Sequence, residues 1–130
     1  MSLDVSPDLL AAAGRGEVPD AAFVDCVRTS LPYAWSVIAG VAADRELTDA
    51  EMADHEVPPP GEAERGQLLR ALASDAIRGA LERHFGMRLA FQNCHRVAVF
   101  RPDAVGAATH AAFVSPRGQV LHQSPELRDC

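Results

Sequence analysis

The sequence contains no lysine: all twelve of its basic residues are arginine. Arginine used alone beside abundant Ala, Gly and Val is what a GC-rich genome encodes, so the absence speaks of the DNA before it speaks of guanidinium chemistry. No stretch approaches the roughly 20 apolar residues that a membrane-spanning helix needs, and the start, MSLDVSPD, has neither a basic end nor an apolar secretory core. The expected location is cytoplasmic, with no membrane. No Lys/Arg-rich run interrupts a net charge of −6, which argues against nucleic acid as a partner.

Cysteine is scarce and odd in number. Cys26, Cys94 and Cys130 do not make the even, closely spaced framework of a secreted disulfide protein, so reduced thiols are expected. The glycines of Gly14-Arg15-Gly16 lack the strand-loop-helix setting of a phosphate loop. Acidic pairs such as Asp49 with Glu51 lack the alternating ligands and the glycine of a calcium loop. Asp25 and Glu82 each have a helical arginine neighbour, Arg28 and Arg78, that explains them without acid-base chemistry. No catalytic set emerges, and the expectation leans away from an enzyme.

What is present fits one domain over residues 1–130, a length able to bury about two-thirds of the surface of its unfolded chain. Three parts are expected: a helical part over 6–86 with a Pro-rich spacer at 56–61, a strand-rich part over 87–123, and an exposed tail over 124–130. Ser6-Pro7-Asp8 reads as a helix start, with Ser6 as N-cap and Gly14 as stop. Pro19-Asp20 opens the next helix with Asp20 as cap, and Phe23, Val27 and Leu31 repeat along one face. Pro32 forces a kink or a restart capped by Ser30. Trp35, Ile38 and Val41 resume the stripe, which places the single tryptophan in the core.

Thr48-Asp49-Ala50-Glu51 fits a capping box and predicts a short acidic helix to about His55. The three prolines of EVPPPG impose an extended spacer; with no PxxP spacing they do not read as a recognition ligand. Glu62 to Phe85 carries the longest 3.6-residue apolar period and reads as one long helix closed by Gly86, with Arg78 and Glu82 able to pair across a turn.

Past Gly86 the period changes to two. Leu89 and Phe91, then Val97 and Val99, predict two strands joined at Gln92 to His95; one bulged strand is the alternative. Ala111 to Ser115 and Gln119 to Gln123 read as a second hairpin around Pro-Arg-Gly, although Ser115-Pro116 could equally cap a final helix. The expected fold is α+β, with N-terminal helices and one long helix packed on a small antiparallel sheet. A sheet this small has edges to protect, and a homodimer is expected.

Charge is divided unevenly: residues 1–64 carry −10 and residues 65–130 carry +4. Either the halves complement each other, within the fold or across a dimer, or Arg88, Arg96 and Arg101 line a face for an anionic ligand. The leading functional reading is therefore a non-enzymatic interaction or regulatory domain that binds a protein partner or a small anionic ligand through those three arginines. The alternative is a zinc, iron-sulfur or thiol-redox protein using Cys26, Cys94, His95 and Cys130, whose residue types suit a tetrahedral site. Only Cys94 and His95 are close in sequence, and neighbours on a strand point to opposite faces, so they could share an ion only from a loop. Cys26 on its helix reads otherwise as a small buried hydrophobe.

Through RGQLLRALASDAIRGALERHFGMRLAFQNCHRVAVF and the ending SPELRDC, the chain resembles small uncharacterised proteins of Streptomyces-type actinobacteria. The resemblance implies a GC-rich, cytoplasmic source and assigns no role to any residue.

Overall fold

The structure is a computed structural model, and it describes residues 2–93 and 95–123. Its elements follow the order α1 (Pro7–Gly14), α2 (Asp20–Ser30), α3 (Pro32–Thr48), β1 (Met52–His55), α4 (Glu62–Ala73), α5 (Asp75–Phe85), β2 (Arg88–Gln92), β3 (Arg96–Phe100), α6 (Ala108–Phe113) and α7 (Pro116–Leu121). The three strands form an antiparallel sheet in the order β1-β3-β2. The class is α+β, as the change of period predicts.

Helices cover both faces of this sheet. Leu89, Val97 and Val99 face a core built from Val27 of α2, Leu31 at the α2–α3 junction, Ile38 of α3, and Leu68, Leu72, Ile77 and Leu81 of α4 and α5. On the other face Ala90, Ala98 and Phe100 pack against Phe113 of α6. The central strand β3 is thus buried on both sides from Val97 to Phe100, which is why four apolar residues run there without alternation.

Local signals place most helix ends. Ser6 Oγ accepts from Leu9 N at 3.1 Å at the start of α1, and Gly86 takes the left-handed conformation (φ 67°) that closes α5. Pro32 restarts the chain as α3, with Leu31 rather than Ser30 in the cap position; the first two helical N–H groups after the proline are satisfied from outside. Gln67 of α4 accepts from Tyr33 N at 2.7 Å and Ala34 N at 3.3 Å, so one helix caps another. Asp20 is the first residue of α2 rather than its cap.

Three further expectations are corrected. Thr48-Asp49-Ala50-Glu51 does not open a helix. The Thr48 hydroxyl instead donates back to Asp44 O at 2.9 Å, Asp49 turns the chain with φ 50°, and Met52–His55 is a strand because β3 offers it an unpaired side. The long helix breaks at Ser74, whose backbone is extended and whose side-chain oxygen accepts from Ile77 N. There Arg78 bonds Asp75 at 2.6 Å and Leu72 O at 2.9 Å instead of Glu82. The second hairpin is absent; Ser115 caps α7 by accepting from Gly118 N, and α6 and α7 are the two short helices that cover the sheet's second face.

Two substitutions test this packing. Gln67→Ala leaves two helix-start N–H groups without their partner and should cost about 1 kcal/mol in urea unfolding. Gly118 is buried, and a Cβ there would clash with Ala112 O. Gly118→Ala should therefore destabilise by about 1–3 kcal/mol, read as a lower urea midpoint.

Candidate functional site

Arg96 opens β3, and the register sets it opposite Gln92 of β2. Its side chain, 16% exposed, lies on the sheet face that α6 covers, between two cavities of about 240 and 250 Å³. Its guanidinium binds Asp54 of β1 through Nε at 2.9 Å and Nη2 at 2.8 Å. It also pairs with Glu56 of the Pro-rich spacer at 3.0 Å and donates to Gln92 Oε1 at 2.8 Å. Its cation sits 4.9 Å over the ring of Phe113, an attractive arrangement with the ring quadrupole.

The neighbours continue the network. Gln92 is buried and donates through Nε2 to Phe113 O at 3.0 Å. Asn93, which turns the β2–β3 hairpin with φ 59°, receives Gln119 and Gln123 Nε2 on its side-chain oxygen, each at 2.9 Å. Its own amide nitrogen donates to His122 O. The hairpin end is fastened in this way to α7 and the residues after it.

The three arginines proposed as one face do not converge. Arg88 pairs with Phe100 in the register and Arg96 with Gln92. Four residues of strand, about 13 Å, thus separate Arg96 from the end that holds Arg88 and Arg101. Arg88 lies 3.3 Å from Glu82, and Arg101 lies 3.0 Å from Asp103. Asp54, Glu56 and Gln92 were missed as partners of Arg96. Their signal was faint: an acidic residue on each side of His55, Asp54 in a segment that reads as helix and Glu56 at the start of the Pro-rich spacer.

Charge complementarity between the halves lies within the fold. Arg96 reaches Asp54 and Glu56, and Arg83 of α5 grips both carboxylate oxygens of Asp20 on α2 at 2.8 and 3.0 Å. The hydrogen bond from Arg83 holds the Asp20 carboxyl below its usual range and raises the Arg83 guanidinium. A depressed carboxyl contributes above its unfolded pKa and loses that contribution as pH falls through the lower folded one; with both side chains more than half exposed, this pair adds little. Burial, and then the Glu64 carboxylate, push the Tyr33 hydroxyl upward.

Of the four residues proposed for metal or redox chemistry, Cys94 and Cys130 lie outside the described residues. Cys26 is buried on α2, with Sγ donating to Asp4 O at 3.5 Å and lying 3.9 Å from Ser30 Oγ. His95 is buried in the β2–β3 turn beside the cavity that also touches Arg96 and His122. Among the described residues no group of three or more His, Cys, Asp or Glu side chains is placed to hold a metal ion. Among the same residues no helix is long and apolar enough to cross a membrane.

Arg96→Met should lower the unfolding free energy by about 2–4 kcal/mol, because it strands Asp54 and Gln92 Oε1 without their donor. Arg101→Met, which removes a pair at the surface, should change it by less than about 1 kcal/mol. Urea unfolding of the two variants beside the parent chain checks the contrast.

No curated protein and no solved structure matches the chain. Its whole length, residues 1–130, matches the family described as NucS shadow ORF, and the chain belongs to that family.

Proposed function

We propose that the chain is a non-enzymatic interaction domain encoded by a reading frame that overlies another coding sequence, that of NucS. The family description motivates the second half, since a shadow open reading frame shares its DNA with another frame. Twelve arginines without a lysine suit GC-rich DNA read in a second frame, and the resemblance to Streptomyces-type proteins suits the same source. A cytoplasmic location belongs to this reading.

The observation that carries the first half is the state of Arg96. Its guanidinium is bound by two carboxylates and an amide of its own chain, so a small anion would have to displace them. Arg88 and Arg101 are different: each meets one carboxylate, and their side chains are 59% and 38% exposed. Guanidiniums this exposed are held by about 0–1 kcal/mol at a surface, so the carboxylates of a protein partner can compete for them at little cost. The partner surface is therefore the Arg88–Arg101 end of the sheet, and the favoured ligand is an acidic patch on a protein.

A stop codon placed in this frame, and chosen to be silent in the NucS frame, tests the reading. Peptides such as ALASDAIR should be found by targeted mass spectrometry in the parent strain and vanish in the stop strain. A competitive-growth defect should follow at unchanged NucS level, restored by the chain supplied in trans but not by its Arg88→Glu/Arg101→Glu variant. Undetectable peptide, or a neutral stop, would sink the proposal.

A further inference from the structure

The two edges of the sheet are unlike. On β2, Leu89 N points away from β3 and is taken by Glu82 Oε2 at 2.8 Å, so a side chain occupies that edge. Because Leu89 N faces outward, alternation makes the Ala90 and Ala98 positions a hydrogen-bonded pair and turns the main-chain groups of Val97 and Val99 toward β1. The bond from Arg101 N to Glu51 O at 3.0 Å continues the same phase. Ala53 and His55 therefore bond inward to β3, and the main-chain groups of Met52 and Asp54 point outward. Among the described residues no hydrogen bond occupies them.

Open space borders this edge on both faces. Tyr33, Gly40 and Asp44 of α3 line a cavity of about 310 Å³ with Asp54 and His55. On the opposite face Met52 borders the cavity of about 240 Å³ against Phe113. An added strand would send alternate side chains into these two spaces, which is how strand addition combines main-chain bonding with recognition.

We propose that β1 is a dimerisation edge and that its occupant is β1 of a second copy, antiparallel about a twofold axis, giving a continuous six-stranded sheet. The outward groups of Met52 and Asp54 must meet their counterparts, and the register centred on Ala53 does this by setting Met52 against Asp54 of the second copy. In that register Asp54 meets no like charge, and Glu51 stands opposite His55, twice by symmetry. His55 Nδ1 is buried without a hydrogen-bond partner, and its face of the strand is the one that Ala53 turns toward the main core. Asp44 of α3 and Asp54 line the same cavity as His55, and Glu51 of the second copy joins them in this register. A Glu51 carboxylate set against a His55 imidazole, repeated by the twofold, favours self-association in this register over other registers.

Sedimentation velocity on the full chain, across a concentration series, tests the proposal. The expected mass is twice 13.9 kDa at the upper concentrations. Met52→Pro removes an outward N–H and leaves the bonds of β1 to β3 in place; it should weaken the dimer about tenfold or more with the circular dichroism spectrum unchanged. Glu51→Arg should weaken it too, and Glu51→Arg/His55→Glu should restore it. A parent chain that stays monomeric up to about 100 μM overturns the proposal, whether or not an extended peptide binds the edge. Folded variants that dimerise as the parent does overturn it as well.

Discussion

One cation, Arg96, joins four pieces of chain that have little else in common. Through Asp54 it holds the edge strand, through Glu56 the Pro-rich spacer, through Gln92 the neighbouring strand, and through the ring of Phe113 the C-terminal helices. Each of these pieces is short. A four-residue strand, a proline spacer and two six-residue helices lack the length to be stable alone. Their order depends on the contacts that gather them, and the guanidinium fork, with its fixed donor geometry, is suited to bind several acceptors at once.

The rest of the fold follows from burying β3 on both faces. The helices α2 to α5 supply a core on one side that rests on long apolar stripes. Among the described residues the other side has Phe113 with the small Ala90 and Ala98, the large Phe100 and the half-buried Met52. Phe100 meets Phe113 edge-on, with ring centroids 5.8 Å apart. The second face is thus thin, and polar bonds from Gln92 and Asn93 supplement its small apolar area. The same arrangement consumes the polar groups that a binding site would otherwise present, so the most elaborate polar cluster in the fold reads as structural.

Much of this was legible in the sequence where the cause is local. Ser6 before Pro7, Gly86 after Phe85 and the two-residue period from Leu89 to Val99 mark their elements through capping and pleat. The misreadings share a different cause. Ser74 breaks a helix without shifting the apolar phase, so the period runs on unbroken. Thr48 and Glu51 have the capping-box spacing, yet β1 forms because a strand 42 residues away has a free side for it. The pairing of Arg96 with Asp54 spans the same 42 residues, which leaves no sign in either neighbourhood. Val97 to Phe100 did carry a usable signal, since four apolar residues in succession imply a strand covered on both faces. That cover comes from the segment read as a hairpin.

Amide hydrogen exchange in the native state, compared between the parent chain and Arg96→Met, tests the tie most directly. The Val97 and Val99 amides bond to β1, whereas the Ala98 amide bonds to β2. If Arg96 holds the edge strand in place, the variant should expose Val97 and Val99 about tenfold or more faster while Ala98 keeps its place among the slowest amides. Equal loss at all three positions, or loss at none, would contradict the role of that single cation as the tie between the edge strand and the rest of the sheet.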